Sequence, residues 1–92
     1  MGTEVLDELF AVIEDRKKRP KKESYTSKLL ASGKAKDKVM EEAQELVEAA
    51  EKQGKKEIVH EAADLIFHSM VLLSEKDVKF DEVVEELRRR RR

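Results

Sequence analysis

The apolar stretch of residues 62–73 limits how this 92-residue chain can fold more than any other feature. Its only polar side chains are Asp64, His68 and Ser69, in a sequence of which 45% is charged. A helix that is apolar on most sides must be covered by more than one neighbour. Because a chain of this length buries only roughly 60–65% of its unfolded surface, we expect a second subunit to supply part of the cover.

Helical periodicity runs through the whole sequence, and no strand-like alternation competes with it. Thr3, Ser24 and Asp81 are expected to cap the first, second and last helices, and Gly33 and Gly54 to end the second and third. The predicted helices cover residues 3–18, 25–31, 36–53 and 56–74, followed by a last helix that begins at Asp81. We predict a single domain, residues 1–92, that is an all-α antiparallel bundle completed by homodimerisation.

Charge and composition exclude several classes of protein. The net charge of −1 argues against a surface built to bind nucleic acid, although the last five residues are all arginine. No run approaches the roughly 18 apolar residues of a membrane span, and no targeting segment is recognised at the N-terminus. The absence of cysteine rules out disulfides and thiolate metal sites. We expect a cytoplasmic protein that does not enter a membrane.

Two acidic motifs at helical spacing point to a metal site. The third helix carries Glu41-Glu42-x-x-Glu45, and the fourth carries Glu61-x-x-Asp64 inside its apolar stretch. Carboxylates three or four residues apart share one face of a helix, so facing helices can bring both sets together. Carboxylate oxygens are hard ligands that suit Mg²⁺, with Mn²⁺ as an alternative.

A simpler interpretation exists for each of these residues. Acidic runs usually form solvated faces, and a buried histidine such as His68 is at least as often hydrogen-bonded in a core as placed beside a metal ligand. Asp64 resists this interpretation most strongly, because an unpaired carboxylate in apolar surroundings costs roughly several kcal/mol. Inward-facing positions of the third helix are expected at Val39, Ala43, Leu46, Val47 and Ala50.

The sequence resembles the phosphoribosyl-ATP pyrophosphatases of histidine biosynthesis, within the wider MazG-like group of all-α nucleotide pyrophosphatases. The pair of acidic motifs is similar to the metal signature of the whole group. The segments that resemble the phosphoribosyl-ATP branch are residues 24–30 (SYTSKLL), 38–42 (KVMEE), 61–68 (EAADLIFH) and 78–83 (VKFDEV).

The resemblance implies Mg²⁺-dependent hydrolysis of 1-(5-phosphoribosyl)-ATP to 1-(5-phosphoribosyl)-AMP and pyrophosphate. In this interpretation the metal ligands are Glu42, Glu45, Glu61 and Asp64. Glu41 is expected to orient or deprotonate the attacking water, with Glu42 as the alternative. The residues expected to contact the substrate are Ser24, Thr26, Lys28 and Lys38.

Two alternatives remain open on the sequence alone. A general MazG-like pyrophosphatase acting on nucleoside triphosphates would use the same four carboxylates. A non-enzymatic helical dimerisation module would instead leave the acidic ridge solvated, or paired with basic residues of a partner.

Overall fold

The computed structural model describes residues 2–91, so the first and last residues of the predicted domain, Met1 and Arg92, lie outside the described part. The described residues form helices and no strand, which confirms the all-α prediction. The helices are α1 (Glu4–Lys18), α2 (Tyr25–Ser32), α3 (Ala35–Lys52), α4 (Lys55–Glu75) and α5 (Phe80–Arg89).

The long helices α3 and α4 form the most extensive contact in the molecule. Only Gln53 and Gly54 separate them, so they run antiparallel as a hairpin. Helices α1 and α2 pack on α4, while α5 is attached less closely. The centre of the core consists of apolar side chains from α1 to α4: Phe10, Ile13, Leu29, Ala35, Met70 and Val71. None of the helices in residues 2–91 is long and apolar enough to cross a membrane.

The beginning and end of α2 are as the sequence predicts. The Ser24 side chain accepts a hydrogen bond of 3.1 Å from the backbone N–H of Ser27, which satisfies a donor in the first helical turn. Gly33 follows α2 with φ at 71°, the left-handed conformation that glycine adopts without a steric penalty. Helix α2, which precedes the helix that carries the first acidic motif, is therefore fixed at both ends.

The other predicted caps need correction. Thr3 occupies the N-cap position of α1 but makes no side-chain capping bond. Gly54 has an extended conformation and precedes α4, while α3 already ends at Lys52. Asp81 lies inside α5, which begins at Phe80.

Glutamates in the first turn stabilise the starts of α4 and α5 instead. The Glu57 carboxylate accepts a 3.2 Å hydrogen bond from the backbone N–H of Gly54, and Glu82 accepts one of 3.1 Å from Lys79. Each glutamate satisfies a backbone donor that the helix cannot, and places negative charge at the positive end of the helix.

The buried face of α3 also differs from the prediction. Its buried residues are Ala35, Glu42 and Ala49, each seven positions from the next, whereas Val47 and Ala50 are exposed. Ala35 and Ala49 have small side chains, so α4 can pack closely against α3. The remaining position places the Glu42 side chain between the two helices. The apolar stripe of α3 is thereby left facing partly outward.

A polar junction ties α1 to the turn between α4 and α5. Glu14 accepts hydrogen bonds from the buried hydroxyl of Ser74 and, at 2.7 Å, from the Lys79 amine. These two donors hold the pKa of Glu14 below its ordinary value. Lys17 forms an ion pair with Asp77 in the same turn. The arrangement connects the C-terminal end of α4 and the turn after it to α1 through polar contacts.

Candidate metal and phosphate site

The acidic residues of α3 form a graded cluster from solvent inward. Glu41 is exposed, Glu45 is half-buried, and Glu42 is buried with 5% of its surface accessible. Carboxylate oxygens of all three lie within 4.8 Å of one another. Helical spacing brings them together, since positions 41 and 42 lie one turn from position 45.

The acidic residues of α4 form a second group. Ligand atoms of His60, Glu61 and Asp64 lie within 4.8 Å of one another. Asp64 is half-buried, and its carboxylate is 3.3 Å from the Nε2 atom of His60. His60 is a surface residue, since 71% of its side chain is exposed.

Glu45 joins the two groups. Its partial removal from water, together with the adjacent carboxylates of Glu42 and Glu61, raises its pKa to about 7. One oxygen of Glu42 and one of Glu61 are fully buried without a hydrogen-bond donor among residues 2–91. A protonated Glu45 has one O–H and can donate to only one of these two oxygens at a time, so at least one of them is left without a donor. Glu42, Glu45 and Glu61 therefore meet between α3 and α4, and Asp64 lies beside Glu61 in the second group.

Lys38 supplies a positive charge at the outer edge of the acidic cluster. Its amine lies 3.3 Å from a carboxylate oxygen of Glu41 and 3.6 Å from one of Glu42. The hydrogen bond to Glu41 raises the pKa of Lys38, so the amine stays charged. It lies one turn before the two carboxylates predicted to activate water.

The predicted substrate residues Ser24, Thr26 and Lys28, at the start of α2 and within it, make no described contact with the carboxylates. Ser24 caps α2, Thr26 is half-buried and Lys28 is exposed. The hydroxyl oxygen of Ser24 accepts from the helix, so its own proton remains available to another acceptor. Lys28 has the freedom of a surface lysine.

A link between α2 and α4 escaped the sequence analysis. The Tyr25 hydroxyl lies 2.9 Å from Nε2 of His68, and Nδ1 of His68 lies 2.7 Å from the backbone oxygen of Asp64. His68 thus contacts the backbone of Asp64 and leaves its carboxylate free. Its spacing of four residues from Asp64 was a signal for this contact, whereas no local pattern could pair it with Tyr25.

The arginine run at the C-terminus is partly paired with glutamates of the last helix. Arg88 forms an ion pair with Glu85, while Arg89 and Arg90 pair with Glu86, all within the last helix or at its end. These pairs neutralise part of the positive charge locally, and Arg92 lies outside the described residues.

The fold and the acidic cluster together define a class of protein: an all-α chain whose antiparallel helix pair carries a cluster of carboxylates beside a lysine. A cation held by carboxylates, with a positive side chain next to it, can neutralise a phosphate chain. Residues 6–91 match the family model described as phosphoribosyl-ATP pyrophosphohydrolase.

Relatives of similar length support the same assignment. A phosphoribosyl-ATP pyrophosphatase of Methanocella arvoryzae is 53% identical, over 97% of this chain and 98% of the relative. Proteins of the same name from Sulfurisphaera tokodaii and Haloarcula marismortui are 45% and 44% identical, over 98% and 96% of this chain and 98% and 94% of the relatives. The chain belongs to the phosphoribosyl-ATP pyrophosphohydrolase family.

Proposed function

We propose that this chain hydrolyses 1-(5-phosphoribosyl)-ATP to 1-(5-phosphoribosyl)-AMP and pyrophosphate, a step of histidine biosynthesis. The observation that carries the proposal is the convergence of Glu42, Glu45 and Glu61, with buried oxygens that have no donor, inside a chain that matches the family over nearly its whole length. Three like charges held this closely repel one another unless a cation or a proton lies between them.

The donor set fits Mg²⁺. Every predicted ligand, Glu42, Glu45, Glu61 and Asp64, offers carboxylate oxygen, the ligand type that Mg²⁺ and Mn²⁺ prefer. When bound, the ion supplies charge neutralisation and orientation for the phosphate chain. The orphaned oxygens of Glu42 and Glu61 are the strongest support for the fit, because a cation would provide the partner that the protein lacks.

The remaining residues of the site handle the proton and the phosphates. Glu41 is the exposed member of the cluster, so we propose that it takes the proton from the attacking water, with Glu42 as the alternative. The water oxygen forms a new bond to phosphorus as the bridge between the α and β phosphates breaks. The phosphate oxygens are contacted by Lys38 and by the α2 residues Ser24, Thr26 and Lys28.

Pyrophosphate release from phosphoribosyl-ATP, measured with and without Mg²⁺, tests this function. We expect Glu45→Gln and Asp64→Asn each to reduce turnover by about 100-fold or more, the scale on which a preorganised electrostatic group contributes. Glu48→Gln is the matched control, because Glu48 is an exposed glutamate on the same helix. Wild-type turnover in both site variants would refute the metal assignment. Hydrolysis of deoxynucleoside triphosphates in place of phosphoribosyl-ATP would refute the substrate.

We further propose that the protein acts as a homodimer of single-domain chains. An apolar groove of about 420 Å³ runs between α1, α4 and α5 and has almost no polar lining. It is lined by Leu6, Leu65, Ile66, Ser69, Met70, Leu73, Phe80, Val83 and Leu87. A second copy of the chain would remove this surface from water. The cytosolic location stays a prediction, which cell fractionation would test.

A further inference from the structure

Tyr25 is held in place by the helix that carries Asp64. The backbone oxygen of Asp64 only accepts hydrogen bonds, so the Nδ1 atom of His68, 2.7 Å away, carries the imidazole proton. Nε2 is then an acceptor, and the Tyr25 hydroxyl at 2.9 Å donates to it. His68 is 5% exposed, so water competes little for either bond.

The Tyr25 ring is also fixed by its aromatic neighbours. It stacks on Phe67 with ring centroids 6.4 Å apart and planes inclined by 28°, and it meets the His68 ring edge-on at 5.9 Å. Nevertheless, 52% of Tyr25 is exposed. A tyrosine that served only the core would be more deeply buried, whereas this ring is a preorganised flat surface with half of its area in solvent.

The ring lies beside the acidic site. Tyr25 stands between Ser24 and Thr26, two of the residues proposed to contact phosphate. Its hydroxyl is linked through His68 to the backbone of Asp64, one of the proposed metal ligands. The exposed aromatic surface and the proposed metal site are thus neighbours.

We propose that Tyr25 contacts the purine base of the substrate by stacking, and that His68 is the positioning residue that holds the phenol for it. This inference rests on the proposed function, because it assigns the base of the same nucleotide whose phosphates meet the carboxylates. Stacking of a base on an aromatic side chain contributes about 5- to 100-fold in affinity. Because the base does not change during hydrolysis, the contact is equally strong in the ground and transition states and acts on KM.

Tyrosine fluorescence tests the contact directly. Tyr25 is the only tyrosine and the chain has no tryptophan, so the emission reports this one ring. The probes are phosphoribosyl-AMP and pyrophosphate, each added with Mg²⁺ while calorimetry follows binding. Stacking predicts that phosphoribosyl-AMP quenches the emission and that pyrophosphate, which has no base, does not. Bound phosphoribosyl-AMP with unchanged emission would overturn the proposal.

Kinetics of matched variants separate the contribution of the Tyr25 ring to substrate binding from that of its hydrogen bond to His68. Tyr25→Ala should raise KM for phosphoribosyl-ATP by about 5- to 100-fold with kcat within about threefold. Tyr25→Phe and His68→Gln should give smaller and equal increases, and the double variant no more than either, because each removes the same bond. Lys22→Ala, an exposed change just before α2, is the control. Melting temperatures identify any variant that fails to fold.

The outcomes distinguish this inference from the proposed function. A wild-type protein that leaves phosphoribosyl-ATP intact refutes the function itself. A wild-type protein that hydrolyses it, together with a folded Tyr25→Ala variant of unchanged KM, leaves the function standing and refutes the stacking contact.

Discussion

Glu45 makes the stability of the metal-free protein depend on pH. Folding raises its pKa from 4.5 to about 7, so the folded state retains a proton that the unfolded chain releases. The stability from this proton is fully present below pH 4.5 and is lost as pH rises through about 7. We expect urea denaturation with chelator present to show declining stability over this interval.

Two comparisons identify Glu45 as the origin of that decline. Glu45→Gln should flatten it, while Glu48→Gln, on the exposed side of the same helix, should not. Added Mg²⁺ should stabilise the wild type most at high pH, where the carboxylates are charged. A metal-free wild type with equal stability at pH 5 and pH 8 would contradict the raised pKa of Glu45 beside Glu42 and Glu61.

Lys38 is predicted to oppose metal binding while it assists catalysis. Its amine is 3.3 Å from Glu41 and 3.6 Å from Glu42, so it neutralises charge that would otherwise attract a cation. Lys38→Met should tighten Mg²⁺ binding by about threefold or more, because a positive charge near the ion is removed. Turnover should fall, since the phosphates lose a positive contact.

Calorimetry of Mg²⁺ binding and pyrophosphate release measure the two effects separately. Lys36→Met is the control, because Lys36 is an exposed lysine of the same helix. Weaker Mg²⁺ binding in Lys38→Met would show that the lysine orders the carboxylates. It would refute the prediction that Lys38 competes with Mg²⁺ for them.

The carboxylate cluster could be predicted from sequence because it depends on local spacing. Glu42 and Glu45 share one turn of a helix, as do Glu61 and Asp64, and their chemistry singles out a hard cation. The contact between Tyr25 and His68 could not be predicted, because residues 43 positions apart meet through the packing of α2 on α4. The spacing of three and four residues from Glu41 and Glu42 predicts that Lys38 contacts these carboxylates. Its expected effect on metal binding follows only from the distances between the amine and the carboxylate oxygens.

The start of α5 depends on one glutamate. Glu82 accepts a hydrogen bond from the backbone N–H of Lys79, whereas Asp81 makes no capping bond within residues 2–91. Glu82→Ala should therefore destabilise the protein by about 0.5–1 kcal/mol, and Asp81→Ala by less than about 0.5 kcal/mol. Urea denaturation of the two variants measures the difference, and an equal or larger loss in Asp81→Ala would contradict this assignment.

The helices themselves follow from patterns that act over a few residues, which is why their bounds match the prediction to within one position at every predicted end. The face that α3 buries does not follow in this way. A stripe containing Val39, Leu46 and Val47 suggested burial within one chain, yet the α4 contact selects Ala35, Glu42 and Ala49. The packing of α4 and the inward position of Glu42 therefore decide which face of α3 is buried, and the apolar periodicity does not. Val47 is left 56% exposed.

The single chain is less compact than its length allows. Its radius of gyration is 14.1 Å, whereas a compact domain of this size is expected near 12 Å. It exposes 7026 Å² of surface, compared with about 5500 Å² for a compact monomer of the same mass. The excess is of the size that a stable subunit interface removes from water.

Sedimentation equilibrium should therefore give twice the chain mass of 10.7 kDa. Ile66 lines the apolar groove and Val12 on α1 does not, although both residues are 47% exposed. Ile66→Glu should shift the protein to monomer, because a charge buried in an apolar interface has no partner there, and Val12→Glu should leave the dimer intact. Circular dichroism checks that both variants keep their helices. A monomeric wild type would refute the dimer, and a dimer that persists in folded Ile66→Glu would refute the groove as its interface.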